Sequence, residues 1–76
     1  MPKITPVSWN KLVKVFESIG FARVRQKGSH IVMVRPGCPR PLIIPAHKEV
    51  SIGVIQSCLR TADMSREDYL LKLENV

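Results

Sequence analysis

Two runs of strand-forming residues flank a glycine in the first half of the chain, and this pattern limits the fold more than any other feature. The runs are FARVRQ, residues 21–26, and SHIVMVR, residues 29–35, joined through Lys27 and Gly28. β-branched and aromatic residues favour strands, and glycine accepts the positive backbone angles of a tight turn. The pattern predicts an antiparallel hairpin with Lys27 and Gly28 as its two loop residues.

The predicted register divides the hairpin side chains between two faces. Arg25 is expected opposite His30, and Val24 opposite Ile31. One face is apolar, and we expect helices to cover it: Ala22, Val24, Ile31 and Met33. The other face is polar near the turn and apolar further along: Arg23, Arg25 and His30, then Phe21, Val32 and Val34. A three-residue loop with a bulge would shift the pairing by one residue and give His30 other neighbours.

Prolines separate the hairpin from a third predicted strand. The segment PGCPRP, residues 36–41, cannot sit in a central strand because proline lacks the backbone N–H. The run LIIPA, residues 42–46, then gives a short strand that Pro45 ends. Alternation should send two residues to the core and the others toward the face of His30: Leu42 and Ile44, then Ile43, Pro45 and, beyond the proline, His47.

Apolar residues at helical spacing predict three helices. The first follows Ser8, stops at Gly20 and has one apolar face: Trp9, Leu12, Val13, Phe16 and Ile19. The second follows Ser51, ends in a turn at Asp63 and has a similar face: Ile55, Cys58, Leu59 and Ala62. The third is short, follows Ser65 and carries three core candidates: Tyr69, Leu70 and Leu73. Serine at each start can cap the helix.

The order of these elements predicts the fold class. A helix, three strands, a second helix and a short C-terminal helix make an α+β domain with a three-stranded antiparallel sheet and both main helices on one face. At 76 residues the chain has room for one domain, expected to span residues 1–76. Its core should be aliphatic, built around Trp9, Phe16 and Phe21.

Basic residues are concentrated in one part of the chain. Lys and Arg number 12 against 6 Asp and Glu, a formal charge of +6, and no acidic residue occurs between Ser18 and Lys48. This separation favours a polyanionic partner. A basic surface that serves only solubility would have the same composition.

Several other classes of function fit the sequence poorly. Two cysteines and two histidines show no paired ligand spacing, so no metal or other cofactor is expected. Cys58 lies on an apolar helix face and Cys38 in a proline-rich loop without an evident base, which argues against a cysteine nucleophile. The start of the chain lacks the apolar run of a signal peptide, and no window is long and apolar enough to cross a membrane. We therefore expect a cytoplasmic protein.

The remaining chemistry is that of a histidine beside cations. RNA cleavage without a metal needs a base for the 2′-hydroxyl proton, an acid for the leaving oxygen and positive charge for the phosphate. His30 is the candidate catalytic residue, and His47 either caps a strand end or is a second proton-transfer group. The candidate RNA-binding residues are Arg23, Arg25, Lys27, Ser29, Arg40 and Lys48. An exposed surface histidine and a serine that only bonds the turn backbone are the ordinary alternatives.

A family resemblance adds to this reading. The runs GFARVRQKGSHIVM, IIPAH and GVIQSCLRTADMSREDYL resemble the HicA (YcfA-like) toxins over Ser8 to Leu73. That family implies a fold similar to double-stranded RNA-binding domains, cleavage of mRNA, a catalytic histidine at the position of His30 and a HicB-like antitoxin as partner. The sequence departs from the family at Val54, where threonine is common, and at Asp63, where glycine is common.

Three functions are thus open at this point. The first is a toxin that cleaves mRNA without a metal, with His30 as the catalytic residue. The second is a non-catalytic module that binds RNA by shape, which would use the same charge without needing His30. The third is a degenerate toxin that is retained as an interaction protein.

Overall fold

The computed structural model describes residues 3–76, so the first two residues of the expected domain lie outside the described part. Its helices and strands follow in the expected order: α1 (Trp9–Glu17), β1 (Ala22–Lys27), β2 (His30–Val34), β3 (Leu42–Pro45), α2 (Ile52–Ala62) and α3 (Arg66–Glu74). The strands form one antiparallel sheet in the order β1-β2-β3. The α+β prediction is confirmed. No helix among residues 3–76 is long and apolar enough to span a membrane.

The core lies between one face of the sheet and the helices. Helices α1 and α2 both contact β3, and α3 packs on α1. Alternate residues of β2 and β3 point into this core, as expected, and are at most 1% exposed: Ile31, Met33, Leu42 and Ile44. The helices contribute Phe16, Ile55 and Tyr69, each fully buried. Trp9 packs against the cluster but stays half-buried.

Local capping signals set both ends of α2 and the start of α3. The Ser51 hydroxyl accepts from the Val54 N–H, and the Ser65 hydroxyl accepts from the Asp68 N–H at 3.1 Å. Asp63 ends α2 in the left-handed conformation, with φ of 53°. A short polar side chain tolerates this conformation, which explains why aspartate can stand where glycine is common. These three end signals are confirmed.

The expected ends of α1 are wrong. Ser8 precedes the helix but does not cap it with its side chain, because its hydroxyl donates to the Asn10 Oδ1 at 2.7 Å. The helix ends at Glu17, three residues before Gly20.

The hairpin turn differs from the prediction. Its two loop residues are Gly28 and Ser29 rather than Lys27 and Gly28, and the expected pairing of Arg25 with His30 is wrong. The observed cross-strand pairs near the turn are Lys27 with His30, Gln26 with Ile31, and Arg25 with Val32. Gly28 has φ of 60°, and glycine at the first loop position is typical of a type II′ turn, which matches the twist of the strands.

A bulge at Val24 changes the rest of β1. Beyond Arg25 the register shifts, so that Arg23 lies opposite Met33 and Ala22 opposite Val34. The extra residue, Val24, is 55% exposed, and the expected burial of Val24 and Ala22 is wrong. Because paired residues share a face, the bulge also moves Arg23 off the face of His30 and onto that of Met33.

Phe21 belongs to the core, as the expected core composition had it, and the outer-face position that the predicted register gave it is wrong. It is 3% exposed and meets the Phe16 ring edge-on, with 5.8 Å between centroids. The Arg35 guanidinium lies 4.6 Å from the Phe21 ring centre and donates to the carbonyl oxygens of Ile19 and Ala62, each at 3.2 Å. Arg35 therefore ties the end of α2 to the turn that follows α1.

Candidate functional site

His30 lies at the turn end of the outer sheet face. It is exposed and stands between Lys27 of β1 and Pro45 of β3, which are its two cross-strand partners. The next row on this face runs Arg25, Val32 and Ile43. The expectation that Ile43 and Pro45 share the face of His30 is confirmed. Two cationic side chains thus lie beside or diagonal to the imidazole, at distances that side chains in neighbouring rows can bridge.

His47 lies at the same end of the sheet, in the loop after β3. The Ser29 carbonyl accepts from the Ala46 N–H at 2.6 Å, which joins the hairpin turn to this loop. The His47 carbonyl accepts from the Trp9 N–H at 3.1 Å, at the start of α1. Two residues past Lys48, the Val50 N–H donates to the Val7 carbonyl at 2.7 Å. The backbone on both sides of His47 and Lys48 is therefore held in place.

We call this surface the histidine end of the sheet and define it by five exposed residues: Arg25, Lys27, His30, His47 and Lys48. The turn within it is braced by the Gln26 amide, which donates to the Gly28 carbonyl at 3.1 Å. Ser29 contributes its backbone carbonyl to the Ala46 contact. Gly28 is required by its positive φ and not by lack of space, because a Cβ added there would meet nothing within 4 Å.

Two candidate RNA-binding residues lie away from the histidine end. Arg23 is on the other side of the sheet because of the bulge. Arg40 precedes β3, and Leu42 pairs with Met33, so Arg40 lies at the opposite end of the sheet from His30. Sequence reasoning also missed the contact between Ser29 and Ala46, which joins residues far apart in the chain and has no local signal.

Both cysteines are explained by packing: Cys58 is buried, and Cys38 contacts two backbone carbonyl oxygens. Burial raises the pKa of the Cys58 thiol from 9.0 to about 11, so this thiol stays protonated and is a poor nucleophile at neutral pH. The Cys38 Sγ lies 3.3 Å from the Arg40 carbonyl oxygen and 3.4 Å from that of Thr61. That contact holds the proline-rich loop against α2. Among residues 3–76 no three histidine, cysteine or acidic side chains are grouped as metal ligands would be.

The histidine end combines two chemical properties. Histidine exchanges protons near neutral pH, and an exposed imidazole can reach a substrate without a change in the fold. Arginine and lysine bind phosphate oxygens, and no acidic residue lies among these cations in the sequence, although the exposed Glu49 follows Lys48 directly. The arrangement suits proton transfer at a bound phosphodiester.

Comparison with protein families matches most of the chain. A family model described as HicA toxin of bacterial toxin–antitoxin systems matches residues 9–64, from the first residue of α1 to just beyond α2. This range includes the whole sheet and the complete histidine end. No curated protein matches the chain at a significant level.

Proposed function

Because the chain belongs to the HicA toxin family of bacterial toxin–antitoxin systems, we propose that it arrests growth by cleaving mRNA without a metal, with His30 as the catalytic residue. The observation that carries this proposal is the row of Lys27, His30 and Pro45 on the outer sheet face, where the exposed imidazole lies beside a cationic side chain and no strand residue is acidic. It lies inside the matched range and holds the one histidine that sits within a strand of the sheet.

The proposed reaction uses the 2′-hydroxyl of the RNA as nucleophile. The 2′-oxygen forms a bond to phosphorus, the bond to the 5′-oxygen breaks, and a 2′,3′-cyclic phosphate and a 5′-hydroxyl result. His30 exchanges one of the two protons involved, and His47 is the proposed partner for the other. Lys27 and Arg25 offset the charge that grows on the phosphate oxygens, and Lys48 holds an adjacent phosphate. Ser29 fixes the turn through its backbone.

The proposal is tested by incubating the purified chain with RNA in EDTA. We expect cleavage to continue, since none of the proposed steps uses a metal. An RNA with a single 2′-deoxy sugar at a mapped cleavage position should resist cutting there while other positions are cut normally. Cleavage at the deoxy position would show that water is the nucleophile, and loss of all cleavage in EDTA would contradict the metal-independent reaction.

A non-catalytic RNA-binding module remains the second candidate, because the same basic surface would serve it. The two functions differ in one measurement. A module of that kind would shift RNA in a binding assay and leave its length unchanged over long incubation, whereas the proposed toxin releases shorter products.

We also propose that a HicB-like antitoxin covers the histidine end. The outer face offers such a partner three apolar contacts beside the cations: Val32, Val34 and Ile43. Val34 is 38% and Ile43 44% exposed. An interface of ordinary size buries roughly 600 to 1,000 Å² on each partner, against a total surface of 5022 Å² here. An acidic partner surface would match the cations and speed capture at low salt.

Amide hydrogen exchange of the complex tests this mode of inhibition. Residues 25–34 should exchange more slowly with the HicB-like antitoxin bound than in the free chain. Tight binding that leaves this hairpin unprotected would exclude direct coverage of His30.

A further inference from the structure

A second basic cluster lies at the opposite end of β3 from the histidine end. Five residues from the proline-rich loop and α2 line an open cleft of about 490 Å³: Pro39, Arg40, Ser57, Arg60 and Thr61. We call it the Arg40–Arg60 cleft. Both arginines and Ser57 are exposed, and Thr61 is half-buried. Two guanidinium groups and two hydroxyl groups supply hydrogen-bond donors that suit an anion.

Neither guanidinium donates a hydrogen bond within the described part of the chain. Arg35 is the one arginine among residues 3–76 whose guanidinium donates a hydrogen bond. None of the residues that line the cleft is acidic. The loop is nevertheless fixed, because the Cys38 Sγ contacts the carbonyl oxygens of both Arg40 and Thr61. Two like charges thus line one cleft, and no acidic side chain lines it with them.

An apolar path connects this cleft to the histidine end. A smaller cleft of about 260 Å³ shares Ser57 and Thr61 with it and is also lined by Ile43. Ile43 lies opposite Val32, in the row of the outer face next to His30. The two ends of β3 are about 10 Å apart at the usual rise per residue. A flexible strand can therefore contact His30, cross Ile43 and reach Arg40 and Arg60.

We propose that the Arg40–Arg60 cleft binds the backbone phosphates of single-stranded RNA several nucleotides away from the bond that His30 cleaves. This rests on the proposed function, and it extends the substrate site from one end of the sheet to the other. Proteins that bind single strands combine such basic tracks with apolar or aromatic contacts over roughly 4 to 16 nucleotides. The cleft makes binding and cleavage depend on RNA length.

The test compares two lengths of 2′-O-methyl RNA, which cannot undergo the proposed attack. The parent chain should bind a strand of about twelve nucleotides more tightly than a dinucleotide, which has a single internucleotide phosphate and cannot reach both ends of β3. Arg60→Gln and Arg40→Gln should each weaken binding of the longer strand roughly 3- to 10-fold, lower its log–log salt slope by about one unit and leave the shorter strand unaffected. Lys72→Gln removes the same charge from the last turn of α3, which packs on α1, and should change neither.

Each result bears on one of the two proposals. If Arg60→Gln and Arg40→Gln bind the longer strand with the same affinity and salt slope as Lys72→Gln, the cleft is not part of the RNA site. If the parent cleaves RNA but binds both lengths equally, the cleft proposal fails and the proposed function stands. If the parent neither binds nor cleaves RNA, both fail. Thermal unfolding of each variant separates lost binding from lost stability, because Arg60 also lies in the last turn of α2, where a cation offsets the helix dipole.

Discussion

The two faces of strand β2 differ sharply although their residues alternate within five positions. Ile31 and Met33 are fully buried under the helices, whereas His30 and Val34 are exposed and Val32 is half-buried. Since one face supplies packing and the other is free to meet a ligand, changes on the first should affect folding and changes on the second should affect function. Neighbours in the sequence therefore serve as controls for one another.

The largest expected effect comes from the outer face. His30→Ala should lower RNA cleavage by roughly 100- to 10,000-fold, the usual contribution of one proton-transfer group. The free energy of unfolding should change by no more than about 0.5 kcal/mol, since the side chain is exposed. In cells, expression of the parent should arrest growth and the variant should not. A folded variant that cleaves as fast as the parent would exclude His30 as the catalytic residue.

The next residue gives the opposite result. Ile31→Ala should lower the free energy of unfolding by about 2 to 5 kcal/mol, because it removes a fully buried side chain from the core. Denaturant titration measures this directly. Val32→Ala, one position further and on the outer face, should cost less than about 1 kcal/mol. If both substitutions lowered the free energy of unfolding equally, the two faces would be equally packed, and the proposed difference between them would be wrong.

Arginines allow the same comparison at longer range. Arg35→Met keeps the aliphatic stem but removes both hydrogen bonds to the carbonyl oxygens of Ile19 and Ala62, and should cost about 1 to 3 kcal/mol. Arg25→Met on the outer face should leave stability within about 0.5 kcal/mol of the parent. If the Arg35 variant has the same free energy of unfolding as the parent, these two hydrogen bonds contribute nothing to stability.

These pairs also show which parts of the fold the sequence could predict. Serine before a helix and a left-handed aspartate after one act within a few residues, so Ser51, Ser65 and Asp63 were found without knowledge of the tertiary structure. Alternation along β3 likewise separated Leu42 from Ile43 correctly, because proline fixed where that strand ends.

The hairpin register was harder to predict because glycine can occupy either loop position. A glycine followed by serine is typical of a type II′ turn with glycine first, and this signal would have given the observed pairs near the turn. The bulge at Val24 had no such signal, since it depends on how two strands pair rather than on one strand's alternation. The face of Arg23 and the contacts of Arg35 could not be predicted for the same reason.

The buried thiol of Cys58 predicts that the folded chain becomes less stable at alkaline pH. Burial raises the pKa of Cys58 from 9.0 to about 11 in the folded chain, so the unfolded chain loses this proton first as the pH rises. The stability that comes from keeping the Cys58 thiol buried and protonated is fully present below pH ~9. It is lost as the pH rises from about 9 to 11, so that the free energy of unfolding falls by about 1.4 kcal/mol at pH ~10. Unfolding titrations at pH ~8 and ~10 measure the loss, which should be smaller in Cys58→Ala. Burial also raises the pKa of Tyr69, so an alkaline loss remains in that variant. An equal loss in both chains would assign the whole effect to other groups.

The smallest expected effect tests the faces of two arginines of β1 that have one residue, Val24, between them. Arg25 lies opposite Val32 on the outer face, and Arg23 lies opposite Met33 on the other because Val24 is bulged out between them. Each carries one charge at an exposed position of the same edge strand, so non-specific attraction to RNA should fall equally when either is neutralised. An arginine on the face of His30 also contacts a phosphate of the bound RNA directly, and its neutralisation removes that contact as well. Arg25→Gln should therefore lower the log–log salt slope of RNA binding by about one unit, and Arg23→Gln by clearly less. Equal slopes would mean that RNA follows the strand edge rather than the outer face, and a larger effect at Arg23 would mean that the bulge does not persist in the bound state.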